Sequence, residues 1–571
     1  MSDSLNVNLN IKAEAQITYD AIVVGSGITG GFAAKELCEK GLKTLVLERG
    51  RNVEHIKDYT TAMKHPWEFE NRLEITDEDR TTNPVQSMSY DPGNKHFYVN
   101  DQDHPYIQQK PYNWIRGYQV GGRSLTWGRQ VYRFSDLDFE ANLKDGHGVD
   151  WPIRYKDLEP WYNYVEQFIG VSGCADAIPH LPHGDYLPAM DMNCIEKHLA
   201  ESIKKNYDQR WLISSRVANL TKGFKDRGPC NFRNLCSRGC PYGGYFSSNS
   251  ASLPAANATG NLTIRPHAIV QEIIYDPQTK KAKGVRIIDE LTKETMEFYA
   301  KIIFLNASTI ATASILLNSK SSYFPNGFGN SSGQVGLNLM DHHKGVGATG
   351  MYEGFKDKYY AGRRPAGVYI PRFRNLNEQT KHPDFVRGYG YQADGERSEW
   401  PDVMKDDDSF GEGYKQKLST PGPWTMWMGA WGECLPNSEN KIWLDAEKKD
   451  KWGMPLVNVN FEHGANDMAM RKDAKESAQE MLEKANFKNI KPFEFLFPGT
   501  AIHEMGTARM GRDPKTSVLN AHNQMHDVKN VFITDGSAMA SSGCQNPSLT
   551  YMALTARACD YAVSELKKGN I

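Results

Sequence analysis

The chain has 571 residues, 39% hydrophobic and 24% charged, which is globular composition and long enough for several domains. Lys and Arg number 67 against 69 Asp and Glu, a net charge of −2 that excludes nucleic-acid binding by broad phosphate neutralisation. It equally excludes a basic sheath for anionic lipid, and nine cysteines are too few for a disulfide scaffold. No apolar run reaches the roughly 18 residues of a transmembrane helix. The first residues lack the basic flank and apolar stretch of a secretory signal, so the chain is expected to stay where it is made unless a partner exports it.

Residues 19–24 carry a β-branched run, Ile22, Val23 and Val24, that reads as a buried strand. Glycines replace it abruptly at Gly25-Ser26-Gly27-Ile-Thr29-Gly30. Phe32, Ala33, Leu37 and Cys38 then recur at helical spacing, and Gly41 closes that helix. Residues 44–47 form a second apolar strand, followed by Glu48 and Arg49. This is a βαβ unit, the setting in which G-x-G-x-x-G marks a dinucleotide site. Gly25 permits the tight turn, Gly27 lets backbone approach a pyrophosphate, and Gly30 lets helix and strand pack closely. The helix start adds unpaired N–H groups and a positive dipole end. Glu48, 18 residues past Gly30, can accept from ribose hydroxyls, which disfavours a 2′-phosphate and leaves FAD or NAD.

Beyond residue 50 the chain becomes polar and loop-rich, with a second glycine cluster, Gly117-Tyr-Gln-Val-Gly121-Gly122-Arg-Ser124. Strand-like runs at 262–265 and 301–305 flank a hairpin-like 272–286 segment, and a helix is expected over 309–318. From about 350 to 495 the sequence is aromatic and alternating, with a long helix over 465–485. The C-terminal part returns to a nucleotide-fold signature. It holds His503-Glu-Met-Gly-Thr, a strand ending in Asp535-Gly536, and Cys544-Gln-Asn546-Pro-Ser-Leu-Thr550, leading into a helix over 549–567.

Together these segments resemble the glucose–methanol–choline (GMC) oxidoreductases, FAD-dependent enzymes acting on alcohols and sugars. The resemblance covers essentially the whole chain, including Val335-Gly-Leu-Asn-Leu-Met-Asp341-His342. It implies an α/β GMC fold: a Rossmann-like FAD-binding domain with an inserted α+β substrate-binding domain built on an antiparallel sheet. The FAD-binding domain is expected at 15–135, 256–345 and 499–571, with a loop-rich insert at 136–255 and the substrate-binding domain at 346–498. FAD contacts are expected at Gly25, Ser26, Gly27, Thr29, Gly30, Glu48, Arg49, Gly121, Gly122, Ser124, Val270, Asp535, Gly536, Asn546 and Thr550.

His503 and Asn546 resemble the His–Asn pair of the pyranose-oxidising branch. Oxidising a secondary alcohol requires the hydroxyl proton to leave as hydride goes to the flavin. A neutral imidazole can take that proton, a contribution of roughly 10²–10⁴-fold. Asn546 would orient the hydroxyl and stabilise developing alkoxide charge. Thr126 stands where fungal pyranose oxidases carry a flavin-linking histidine, so FAD is expected to be non-covalent. His342 and His343, beside Asp341, read as a family feature next to the flavin domain rather than a metal site. Trp114, Trp127 and Arg129 read as cavity wall, and the tryptophans at 424, 427 and 431 as core packing ahead of sugar platforms.

Cys230, Cys236 and Cys240, in the 228–245 segment, form C-x5-C-x3-C followed by Pro. Thiolates are soft ligands for iron–sulfur clusters or zinc. Structural zinc wants four ligands, and no fourth lies near. Three thiolates fit a three-iron cluster, and the spacing resembles the 3Fe–4S segment of FAD-dependent glucose, fructose and glucoside dehydrogenase large subunits. The other six, Cys38, Cys174, Cys194, Cys434, Cys544 and Cys559, read as packing residues.

The C-terminal pattern most resembles glucoside 3-dehydrogenase large subunits. That resemblance implies oxidation at C3 of glucose or glucosides to 3-keto sugars, with electrons leaving through a 3Fe–4S cluster to cytochrome c or quinone. It implies a small partner subunit that carries the export signal, hence a periplasmic location, with the cytoplasm as the alternative. An oxygen-using pyranose or C-glycoside 3-oxidase and a non-catalytic flavoprotein scaffold are the competing readings.

Overall fold

The computed structural model describes residues 5–8, 19–360, 362–397 and 410–571. The βαβ unit is β1 (Tyr19–Val24), α1 (Ile28–Glu39) and β2 (Thr44–Leu47). Helices α2 (Tyr155–Ile169) and α3 (Cys194–Asn206) follow in the stretch expected to be loop-rich. Then come β3 (Leu262–Arg265), β4 (Ala268–Asp276), β5 (Lys281–Asp289), β6 (Thr295–Leu305) and α4 (Thr309–Asn318). A second group holds β7 (Val346–Tyr352), β8 (Val368–Ile370), β9 (Tyr389–Arg397), β10 (Trp424–Gly432), α5 (Ala465–Lys484) and β11 (Lys488–Glu494). The chain closes with β12 (Val531–Ile533) and α6 (Ser548–Lys567).

The first sheet has the parallel order β3-β2-β1-β6, with β12 also parallel to β6. β4 and β5 extend it as an antiparallel meander onto β6. Ile22, Val23, Leu45 and Val46 are fully buried, because both faces of a parallel sheet are covered, and this makes the strands read as continuous apolar runs. Gly30 lies in the first turn of α1, where an added Cβ would stand 2.0 Å from the Gly25 carbonyl oxygen.

The second sheet is antiparallel, in the order β11-β7-β10-β9-β8, and the short strand Ile213–Ser214 completes it at the edge of β8. On β10, Trp424, Met426, Met428 and Ala430 point into a core shared with Met470, Ala474, Ala478 and Met481 of α5 and Leu199 of α3. The core reading of the tryptophans holds for Trp424. It fails for Trp427, which is 37% exposed on the opposite face and stacks on Phe493. The helix α2 reveals its pattern only in the fold: Leu158, Tyr162, Val165 and Ile169 are buried at helical spacing, and Pro160 interrupts that signal. Among the described residues no helix is long and apolar enough to cross a membrane.

A buried ion pair at the end of the second sheet ties it to the segment around Asn142 and Asp145. Arg387, just before β9, donates through Nη1 to Glu433 Oε1 at 2.6 Å and through Nε to Asp145 Oδ2 at 2.8 Å. Its Nη2 donates to Asn142 Oδ1 at 2.8 Å, and Asn142 in turn donates to the Ala540 carbonyl at 2.9 Å. Arg387→Ala leaves the Glu433 carboxylate buried without its partner, and stability is expected to fall by about 3–5 kcal/mol. Thermal melting of the purified protein measures this; an unchanged melting temperature would contradict it.

Candidate active site

A large cavity opens at the carboxyl ends of the parallel strands, where Val24, Leu47, Glu48 and Asn306 line it, the position at which open α/β sheets bind ligands. Gly25, Ser26, Gly27 and Thr29 form one wall. No side chain caps α1 at Gly27, so its first N–H groups remain for an anion. An added Cβ at Gly27 would meet nothing within 4 Å, a cradle left open toward the cavity. Glu48 is buried, and its carboxylate accepts from the Ser26 N–H at 3.1 Å and hydroxyl at 2.5 Å. Arg49 lies 4.8 Å from the Tyr118 ring and 5.3 Å from Trp452. Gly122, Ser124, Val270, Asp535, Gly536 and Asn546 line the same cavity, as do Trp127 and Arg129.

Three expected contacts stand behind the cavity wall instead. Gly30 packs helix on strand, as above. Gly121, at φ +95°, donates its N–H to Ser26 Oγ at 2.9 Å and so docks the second glycine cluster on the first. The Thr550 hydroxyl lies 2.8 Å from that of Tyr162, inside the protein. Trp114 is buried beneath Arg116 and does not line the cavity either. Asp535 spends its carboxylate on protein donors: the Ser537 and Ser308 N–H groups and the Thr312 hydroxyl. It thereby ties the C-terminal block to the start of α4.

His503 and Asn546 meet at this cavity, with His503 Nε2 at 3.5 Å from Asn546 Nδ2. Asn546 Oδ1 is occupied by Gln392 Nε2 at 3.0 Å, which turns Nδ2 toward the histidine. The backbone N–H of His503 donates to Asp341 Oδ1 at 2.9 Å. His342 contacts the other ring nitrogen of His503 at 2.9 Å. Burial holds His503 well below the usual histidine range and His342 down to about 4, so both rings are neutral. Burial, reinforced by nearby Glu504, pushes Asp341 up to about 8. Arg123 pairs with Glu504 at 2.8 Å. Sequence reasoning missed Gln392, on an alternating strand without a motif, and assigned no role to His342.

All nine cysteines are free thiols. Gly244 donates its N–H to Cys240 Sγ at 3.3 Å, Arg129 bears electrostatically on Cys230, and Arg227 on Cys240. The loop holding them is bonded to the cavity wall: Tyr245 donates to the Leu125 carbonyl at 2.6 Å, and Trp127 Nε1 to the Phe246 carbonyl at 2.9 Å. Among the described residues, Cys434, His463 and Asp467 are the trio whose ligand atoms lie within 4.8 Å of one another; the three loop cysteines are spread more widely. Cys38, Cys434, Cys544 and Cys559 are buried, but Cys174 is exposed on a loop, so the packing reading fails there.

A buried acid titrating near 8 binds its proton more tightly in the folded state than in the unfolded chain, where aspartate titrates near about 4. Its contribution to stability is therefore complete below about pH 4 and is lost as pH rises toward about 8. Asp341→Asn keeps the acceptor oxygen and does not titrate. Its melting temperature relative to wild type is expected to rise between about pH 5 and 8; a pH-independent difference would contradict the buried neutral acid.

Residues 19–344 match the N-terminal domain of GMC oxidoreductases, and 436–555 match the C-terminal domain. The 2-methyl-1,2-propanediol dehydrogenase of Mycolicibacterium austroafricanum is 28% identical over 95% of this chain and 94% of its own. The fructose dehydrogenase large subunit of Gluconobacter japonicus is 25% identical over 97% and 99%. The gluconate 2-dehydrogenase flavoprotein of Pantoea cypripedii is 26% identical over 94% and 92%. A crystal structure of formate oxidase superposes with a TM-score of 0.61 over 96% of this chain and 99% of that one, at 14% identity, and shows the shared fold. The chain belongs to the GMC oxidoreductases, FAD-binding enzymes that act on CH–OH groups.

Proposed function

We propose that the protein is a sugar dehydrogenase that oxidises a secondary hydroxyl, the C3 hydroxyl of glucose or glucosides, to a 3-keto sugar. The observation that carries the reading is the meeting of His503 and Asn546 at the cavity that also holds the glycine cradle. The residues present fit FAD held without a covalent bond: uncapped N–H groups of α1 would hold its phosphates, Glu48 would accept from its ribose, and Thr126 offers no imidazole to link the ring. Bound FAD supplies the hydride acceptor. His503 Nε2 takes the proton of the substrate hydroxyl. Asn546 Nδ2, its amide fixed by Gln392, donates to the same oxygen and stabilises the alkoxide as it forms.

The electron exit is proposed at Cys230, Cys236 and Cys240, holding a 3Fe–4S cluster that serves an external cytochrome c or quinone. None of the three is in a disulfide, which leaves all three available as soft thiolate ligands. Arg129 and Arg227 offset thiolate charge, and the N–H···S bond to Cys240 is of the kind that tunes such clusters. The bonds from Tyr245 and Trp127 link this loop to the cavity wall. Relatives named as dehydrogenases of fructose and gluconate, one of them a large subunit, agree with a sugar substrate and a small partner subunit. Export with that partner to the periplasm completes the reading.

Anaerobically purified protein is expected to contain iron and acid-labile sulfide in the ratio of a 3Fe–4S cluster. Replacing the three cysteines with serine should remove the iron while glucosides still bleach the flavin. Iron below about one equivalent in the wild type overturns the cluster, and hydrogen peroxide stoichiometric with sugar would favour an oxidase. His503→Ala is expected to slow flavin reduction by roughly 10²–10⁴-fold. An unchanged rate would point to a scaffold subunit, and NMR of the product reports the carbon oxidised.

A further inference from the structure

A histidine can act as base only through a nitrogen that carries a lone pair. In a neutral imidazole one nitrogen carries the proton and the other does not, and their hydrogen-bond partners decide which is which. For His503 the deciding partner is His342, whose Nδ1 lies 2.9 Å from Nδ1 of His503. The opposite nitrogen of His342, Nε2, lies 2.9 Å from the carbonyl oxygen of Gly543 and 3.2 Å from that of Ser542. Carbonyl oxygens only accept, so His342 Nε2 is the protonated nitrogen and its Nδ1 the lone pair. The proton between the two rings then belongs to His503 Nδ1. The Nε2 of His503 is left bare, beside Asn546.

The backbone is shaped for this task. Gly543 adopts φ +57°, and a Cβ there would stand 2.8 Å from the Phe134 ring and 2.9 Å from Gln545 Oε1. Glycine is the residue that lets the turn present its carbonyl to His342. The Ser542 hydroxyl is bonded to the Cys434 carbonyl at 3.1 Å, which steadies the second carbonyl. The two imidazoles stand edge to face, with planes at 86° and centroids 5.0 Å apart.

We propose that His342 is a positioning residue: anchored by the carbonyls of Ser542 and Gly543, it locks His503 in the tautomer whose Nε2 accepts the substrate proton. The inference rests on His503 acting as the base. When His503 Nε2 has taken the proton, its Nδ1–H still donates to the His342 lone pair. The positive charge thus forms against an acceptor already in place, with no second proton to move.

Two substitutions separate this role from simple packing. His342→Asn places an acceptor oxygen near the position of Nδ1. His342→Gln reaches the Ser542 and Gly543 carbonyls with its amide N–H but gives His503 no such acceptor. Anaerobic stopped-flow reduction of the FAD-loaded enzyme by methyl glucoside gives a limiting rate and a half-saturation, and flavin absorbance confirms loading. The Gln variant is expected to lose at least about tenfold in limiting rate, up to the roughly 10⁴-fold that a wrong tautomer costs a serine-protease histidine. The Asn variant should recover most of that loss, and half-saturation should change little in either. Equal rates for the two variants, or altered half-saturation at an unchanged limiting rate, overturn the lock. His503→Ala in parallel separates the two readings. If it is slow while both His342 variants match wild type, only the lock fails; if all three match wild type, the base assignment fails with it.

Discussion

The site depends on one short backbone crossing. Met340 and Met505 exchange hydrogen bonds, N to O at 2.9 and 2.8 Å, and Asp341 accepts from the backbone N–H of His503 next to them. An added Cβ at Gly506 would stand 1.9 Å from the Asn338 carbonyl, so the two segments touch as closely as backbone allows. The crossing brings residues more than 160 positions apart into register. It sets His342 and His503 ring against ring, and the loop from Ser542 to Asn546 then closes over both. Nothing in either segment alone makes a site.

The same burial that assembles these groups sets their charge. His342, His343 and His503 are pushed toward the neutral form and Asp341 toward the protonated one. The charges that bear on His503 and Asp341 are the Arg123–Glu504 pair and Lys344. In so buried a place any charge that forms is felt strongly by the polar groups aimed at it.

Legibility followed physical range. The βαβ unit was readable because strand burial, glycine turn and helix spacing are local signals, and α4, α5 and α6 begin and end within one residue of where periodicity put them. That His503 and Asn546 share one cavity was foreshadowed by motif resemblance, not by chemistry visible in the chain. Gln392 left no trace, since its partner is 154 residues away and alternation along β9 says only which face it occupies. Thr550 was misplaced by resemblance, because one helical turn decides whether a side chain faces the cavity or Tyr162. The helix α3 was masked by Lys and Glu on its outer face, although Ile195, Leu199 and Ile203 kept the core spacing.

The strand Ile213–Ser214 has a consequence for how such proteins diversify. It ends the second sheet but belongs to the stretch that runs on to the cysteine loop, where the Cys230 N–H donates to the Leu220 carbonyl at 2.8 Å. A transplant of residues 346–498 from a relative would carry every strand of that sheet except this one. The recipient would have to supply a matching edge, or β8 would present unpaired backbone to solvent and to other chains. The second sheet and the cysteine loop are therefore tied through a two-residue seam, and variation in one is constrained by the other.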